Sequence, residues 1–440
     1  MEYNRLSKSY AYGLHRIYEM VINNDPSYAY LLESNNLVDQ KLVMAHVYGH
    51  CHFFKHNASF AKTNRKMMDA MGMHAAKVER YQRIHGLEVV ENFIDTCLML
   101  DDLIDPHSVF IKRADVKERS LMHPDDEERP HAQKIKSKEY MNEFINPPEA
   151  LRREQEFLDA EYAHKKLARQ KQQFPEEPQK DILLFLVEHA QLEEWQLDIL
   201  WMIREEAYYF APQAETKIMN EGWATYWHEK LMTERLLTDA EVIDFADHHS
   251  GTVAAHPGQI NPYRLGFELW KDIEDRWNKG KFGSAYDDCD DYMKRKNWDL
   301  QLGQGREKIF SVCKTHNDIT FIDAFFNEEF CYEHKYFVYE YDSEHKVYEV
   351  VSRDWKDVKE GLLFALTNRG KPFIYVVNGN HENRGELLLQ HRHEGRDLHE
   401  RYAKATLQGL YKMWKRPVHI QTIFENKEKT LSFNGKEHKK

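Results

Sequence analysis

Apolar residues change their spacing once along this chain, and that change limits the folds open to it. From Leu6 to about Arg113 they recur every three or four positions, as in "LHRIYEMVI" and "VVENFIDTCLMLDDLI", which is the period of amphipathic helices. The run "DILLFLVEHAQLEEWQLDILWMIREEAYYF" predicts one long buried helix or a helix pair, ending near Pro212 because proline disfavours helix continuation. Another helix is expected in "MNEGWATYWHEKLMTERLL". After about Gly305 the segments "KYFVYEY", "KVYEVVS", "PFIYVVNG" and "ELLLQHRHEG" are β-branched, aromatic and partly alternating, so they read as strands, with a helix in "DLHERYAKATLQGLYKMWKRP" after them. The predicted fold class is therefore α+β: a large, mainly helical N-terminal domain over 1–305 and a smaller C-terminal α+β domain on an antiparallel sheet over 306–440. A charged, Pro-punctuated stretch at about 115–180 reads as an exposed insertion. The tail "NKEKTLSFNGKEHKK" is expected to be mobile at its end.

At 440 residues, with 42% hydrophobic and 13% aromatic residues, the chain can bury a large core. Its 73 acidic and 61 basic residues are mixed along the length, and the net charge of -12 argues against a general nucleic-acid binder. Five widely spaced cysteines without a CxxC pair fit a reducing compartment, so a cytoplasmic location is expected. The N-terminus lacks an apolar signal-peptide core, and no segment approaches the roughly 18 to 20 apolar residues of a membrane-spanning helix. Walker loops, Rossmann fingerprints, nucleophile elbows and kinase motif sets are absent from the sequence, which leaves nucleotide-dependent chemistry without support.

The stretch "HVYGHCHFF" carries the first chemical signal. On a helix, His46 and His50 lie on one face and can direct two imidazoles to one ion. The zinc-protease motif HExxH has the same histidine spacing, with its Glu as general base; here Val47, Tyr48 and Gly49 intervene, so ligand geometry comes without that proton acceptor. A structural or solvated histidine pair is the competing reading. His52 would face away from the pair.

A carboxylate for the pair is offered by "NEGWATYWHEK", where Glu221 stands beside Gly222 and His228 follows seven residues on. An acid favoured by the helix dipole is the plainer account of Glu221. The pattern nevertheless resembles the segment that supplies the glutamate ligand in gluzincin metallopeptidases, and this resemblance implies a gluzincin-like helical core. His46, His50 and Glu221 would then form a two-histidine, one-carboxylate site for a divalent transition metal, with zinc favoured and non-haem iron the alternative. Glu188, His189 and Glu193 on one stripe of the long helix would approximate the inward clusters of di-iron bundles, although a charged amphipathic face explains them as well. Glu188 and Glu206 are the candidate bases if the first motif lacks one. Glu91 and Asp95 read as surface acids, Asn261 and Arg264 as helix-capping residues or substrate contacts, and His391 and His393 as a lesser ligand candidate.

The order of "KLVMAHVYGHCHFFKHN", "DLIDPH", "EHAQLEEWQLDIL", "IREEAYYFAPQAETKIMNEGWATYWH", "NPYRLGFELWKDIEDRW" and "ELLLQHRHEGRDL" resembles the stage V sporulation protein R (SpoVR) family, from about Leu37 to Thr422. The resemblance implies a cytoplasmic bacterial protein linked to spore cortex formation, with relatives in non-sporulating bacteria that suggest a stress or stationary-phase role. It also implies partners, namely a PrkA-type serine kinase and a YeaH/YhbH-type protein with a von Willebrand-like domain. The family motifs fall on His46, His50, Glu188, His189, Glu206, Asn220, Glu221 and His228.

Two functions follow as expectations. One is a metal-dependent amide or peptide hydrolase with His46, His50 and Glu221 as ligands and Glu188, Glu206 and His228 as its catalytic set. The other is a non-catalytic regulatory or scaffold protein with a vestigial or structural metal site. Whether the chain is an enzyme stays open between them.

Overall fold

The structure, a computed structural model, describes residues 20–111, 146–170, 174–255, 259–342 and 345–439. Its principal helices are α1 (Leu37–His56), α2 (Met67–His85), α3 (Leu87–Leu98), α4 (Pro148–Gln170), α5 (Ile182–His189), α6 (Glu194–Glu215), α7 (Lys217–Leu231) and α8 (Val242–Thr252), followed by α9 (Pro262–Lys279), α10 (Gly305–Thr315), α11 (Asp318–Phe325), α12 (Glu328–Glu333), α13 (Trp355–Leu366) and α14 (Glu400–Trp414). The strands are β1 (Val21–Ile22), β2 (Tyr28–Ala29), β3 (Val338–Asp342), β4 (Val347–Ser352), β5 (Phe373–His381), β6 (Glu386–Arg392), β7 (Val418–Phe424), β8 (Lys427–Phe433) and β9 (His438–Lys439). The chain divides into two compact units, Met1–Val90 with Glu205–Lys371 and Glu91–Arg204 with Pro372–Lys440.

The first unit is built on α7, which packs against both α1 and α9. Its core is aromatic: Phe53, Trp223, Trp270, Phe321, Phe326 and Phe330 are all buried in one cluster. Burying each such side chain contributes roughly 1.5–3 kcal/mol. Close helix approach is made possible by glycine. A Cβ on Gly49 of α1 would lie 2.6 Å from the Ala224 Cα, and one on Gly222 of α7 would lie 2.4 Å from the Gly266 Cα of α9. The β3–β4 hairpin belongs to this unit as a separate two-stranded sheet.

The second unit contains a five-stranded sheet in the order β5-β6-β7-β8-β9. All neighbouring pairs are antiparallel except β6–β7, which is parallel. This corrects the expected all-antiparallel sheet. Parallel neighbours need a long crossover, and α14 supplies it between β6 and β7. Val418, Ile420 and Leu431 point into the buried face, and Tyr411 of α14 meets Phe433 edge-on at 5.3 Å.

Several local expectations need adjustment. Val21–Ile22, the end of the supposed first helix, is strand, and its earlier residues lie outside the described ones, as do 112–145 and 171–173 of the charged stretch. Pro148–Gln170 within that stretch is helical. The long apolar run is a helix pair, but Pro212 lies inside α6, which continues to Glu215; the Thr216 hydroxyl donates to the Pro212 carbonyl at 2.7 Å. The tail expected to be mobile at its end carries β8 and β9, the latter reaching Lys439. Compact units divide the chain at Lys371/Pro372 rather than near 305, because α10 to α13 pack with the first unit.

Candidate metal centre

Helix α1 starts at Asn36, whose side chain accepts the Asp39 N–H at 2.8 Å, and its buried face carries Val43, His46, Val47, His50, Phe53 and Phe54. Glu221 comes from the first turns of α7. The residue before that helix, Thr216, makes no side-chain cap. Asp318 from α11 does so instead: its two carboxylate oxygens accept the Ile218 and Met219 N–H groups, each at 2.8 Å. A carboxylate at a helix N-terminus satisfies orphan donors and meets the positive end of the helix dipole. Burial nonetheless pushes Asp318 up to about 7, against the lowering effect of those two bonds.

These two helices bring three ligand-type side chains together. Glu221 Oε2 lies 3.7 Å from His46 Nε2 and 3.5 Å from His50 Nε2. Among the described residues this is the one group of three or more His, Cys, Asp or Glu side chains so placed, with its ligand atoms all within 4.8 Å of one another. Glu221 Oε2 is buried and finds no hydrogen-bond partner among the described residues. Leaving an ionised carboxylate oxygen in that condition is costly unless a cation faces it.

The opposite nitrogens of both imidazoles are engaged. His50 Nδ1 is 2.9 Å from Asn220 Oδ1, and His46 Nδ1 is 2.7 Å from His228 Nδ1. An amide oxygen only accepts, so His50 carries its proton on Nδ1 and turns the Nε2 lone pair toward Glu221. The same arrangement for His46 makes His228 Nδ1 an acceptor, which places the His228 proton on Nε2, facing His249 Nδ1 at 2.9 Å. Burial lowers the His249 pKa and keeps that ring neutral. Tyr263 stacks on His46 with ring centroids 6.0 Å apart, held there by Asn261, whose side chain caps α9 by accepting the Tyr263 N–H at 3.0 Å.

The other sequence candidates are distributed differently. Val47, at the position of the HExxH base, is buried, and His52 turns away to accept the Trp223 indole N–H at 3.2 Å. Glu206 is held by His74 Nδ1 at 2.9 Å, with Glu205 3.6 Å from the other ring nitrogen. Glu188 and His189 end α5 in the second unit, while Glu193 precedes α6 and accepts the Trp195 indole N–H at 2.9 Å. The break between α5 and α6 therefore removes the single stripe on which a di-metal cluster would depend. His189 borders a cavity of about 250 Å³ with Phe174, Asn380, Trp414 and Arg416. His391 is buried against the Thr422 hydroxyl at 2.8 Å, and His393 pairs with Asp397 at 2.9 Å. Arg264 binds Glu268 at 2.8 Å. Glu91 and Asp95 are exposed. His249 and Asp318 were not among the sequence candidates, since each reaches its partner from a distant segment without a local motif.

Fold and cluster define a helical protein with a candidate two-histidine, one-carboxylate centre and an α+β unit completed by its C-terminus. The chain belongs to the SpoVR family: residues 1–371 match SpoVR like protein and residues 372–425 match the SpoVR-like C-terminal domain. The junction between the two matches coincides with the Lys371/Pro372 division of the compact units. It is similar to "Uncharacterized protein YcgB" of Escherichia coli (strain K12), with 27% identity over 443 residues that cover 94% of this chain and 79% of that protein. No solved structure matches. Among the described residues no helix is long and apolar enough to cross a membrane.

Proposed function

We propose that His46, His50 and Glu221 hold one divalent transition metal, zinc in preference to iron, and that this centre serves hydrolysis of an amide or peptide bond. The observation that carries the reading is the buried Glu221 Oε2, without a hydrogen-bond partner among the described residues and 3.5 and 3.7 Å from two imidazole nitrogens. Such separations are long for an N–H···O bond. They suit donors sharing one tetrahedral ion, which stand roughly 3.3–3.5 Å apart when each bond is about 2.0–2.1 Å. Two nitrogens and one carboxylate oxygen are a donor set that zinc and iron(II) both accept. When bound, such an ion polarises a carbonyl and lowers the pKa of a bound water.

The chain's own residues prepare that chemistry. Asn220 and His228 fix the tautomers of His50 and His46, and His249 orients His228 in turn. Tyr263 forms an aromatic wall beside His46. Glu206, in the same compact unit as the three ligands, is the proposed base and would have to exchange its His74 partner for a substrate water.

A second reading, a regulatory or scaffold protein with a structural metal, is favoured by Val47, which puts an apolar buried side chain where a peptidase keeps its base. In that reading the protein acts with a PrkA-type kinase and a YeaH/YhbH-type partner. Under either reading the proposal places the protein in the cytoplasm, acting in spore cortex formation or in the stress and stationary-phase response; the match to SpoVR like protein supports the sporulation link.

Elemental analysis of the purified protein and of His46→Ala and Glu221→Ala tests the centre. One equivalent of metal in the parent, lost in both variants, is expected; a parent that stays metal-free after reconstitution with zinc or iron(II) overturns it. Peptide hydrolysis by the metal-loaded parent then separates the readings, because a loaded but inactive protein that captures the kinase leaves only the second.

A further inference from the structure

A second cluster lies on the five-stranded sheet. Val418, Ile420 and Leu431 occupy the face covered by α14, so the alternating residues His419 and Ser432 project from the opposite face. They are direct partners in the β7–β8 ladder, and Leu388 pairs with His419 across the β6–β7 ladder, which puts Glu386 two residues away on the same face. The distances are those of a relay. Ser432 Oγ is 2.8 Å from His419 Nδ1, and His419 Nε2 is 2.7 Å from Glu386 Oε2.

Proton positions follow from the acceptor at one end. Arg384 donates to both oxygens of Glu386, at 2.6 and 3.0 Å, and its guanidinium holds that carboxyl below the usual range. The carboxylate therefore accepts from His419 Nε2–H, and Nδ1 is left with its lone pair toward the serine hydroxyl. On the far side, Lys439 stands opposite Ser432 in the β8–β9 ladder, and its ammonium pairs with Glu437 at 3.3 Å.

We propose that Ser432 is the nucleophile of a second site, with His419 as its base, Glu386 as the positioning acid and carboxylic esters as the substrate class. A nucleophile hydrogen-bonded to a base, itself oriented by an acid, is the arrangement by which such sites are recognised on unrelated folds. Ser432 Oγ attacks the ester carbonyl while its proton passes to His419 Nδ1. Collapse of the intermediate breaks the bond to the alcohol oxygen, which takes that proton and leaves. Water, deprotonated by the same nitrogen, then releases the acid and restores the hydroxyl. Esters are the class because expulsion of an alkoxide needs less assistance than that of an amine.

The test uses the full chain, a fluorophosphonate probe read by intact mass and peptide mapping, and hydrolysis of p-nitrophenyl butyrate. One label on Ser432 is expected, absent from Ser432→Ala, with ester hydrolysis by His419→Gln slowed by about 10²–10⁴-fold. Glu386→Gln should slow hydrolysis while shifting its pH profile, which a purely structural acid would not do. An unlabelled parent under conditions that saturate an authentic serine esterase overturns the proposal, as does Ser432→Ala hydrolysing at the parental rate with an unchanged circular dichroism spectrum. The cluster shares no residue with His46, His50 and Glu221, so its failure leaves the metal reading intact.

Discussion

The two histidine clusters use the same side chains to opposite ends. In the helical unit, Nδ1 of His46 and of His50 is tied to a neutral partner and Nε2 faces a carboxylate oxygen at a distance too long for a hydrogen bond. On the sheet, both nitrogens of His419 sit within hydrogen-bond distance, one of an acid and one of a hydroxyl. The first geometry leaves a gap among donor atoms, the space we propose for a cation. The second fills every gap and lines up a path for a proton. A histidine beside a glutamate therefore reveals little by itself; the separation and the partner on the far nitrogen decide its chemistry.

Four experiments would break or sharpen this contrast. The largest effect is expected from Asp318→Ala, which strips the cap from α7 and leaves two buried N–H groups unsatisfied. A loss of about 2–6 kcal/mol in denaturant unfolding is expected, at roughly 1–3 kcal/mol per orphaned group. Metal occupancy should fall with it while labelling of Ser432 persists. Next, Gly222→Ala should cost about 1–3 kcal/mol by overpacking, because the added carbon meets the α9 backbone. Unchanged thermal stability would mean the helices can part without consequence.

A third variant, Asn220→Ala, removes only the acceptor behind His50 and should weaken metal affinity about 10–100-fold in a competition assay. Asn220→Asp retains an acceptor and should recover much of it. If both bind like the parent, the distinction drawn from the far nitrogen fails. The smallest effect concerns the sheet unit and pH. Burial lowers His391 to about 4, below its unfolded value of 6.5, so the unfolded chain binds the extra proton between those values. Stability should thus decline as pH falls from 6.5 toward 4, and His391→Gln should flatten that part of the profile in urea melts.

The helical centre was legible because its signals are local: four-residue spacing puts His46 and His50 on one face, and Glu221 sits beside a glycine in an aromatic helix. Its supports were less so. Asp318 reaches α7 from nearly a hundred positions away, and the contact of Gly222 with Gly266 joins two motifs whose sequences do not reveal their register. The sheet cluster was not anticipated at all. Alternation in "VHIQTIF" and "KTLSF" could have identified both strands and their hairpin, yet the approach of Glu386 to His419 depends on a crossover through α14. Charge-rich composition made the last strands look like a loose tail. Pro212 misled in the opposite direction, since a proline inside α6 costs one backbone bond but does not oblige the helix to stop.

The glycine contacts have a consequence for anyone who would redesign the centre. With α1, α7 and α9 touching backbone to backbone, the spacing of their axes is set by main-chain atoms and has little slack in either direction. Donor identity at positions 46, 50 and 221 is thus an adjustable part mounted on a fixed gauge. Under the metal proposal, exchanging Glu221 for histidine would alter which ions the site selects without resizing it. Writing the missing peptidase glutamate into position 47 is a different matter, because it would put a carboxylate where a buried valine now sits.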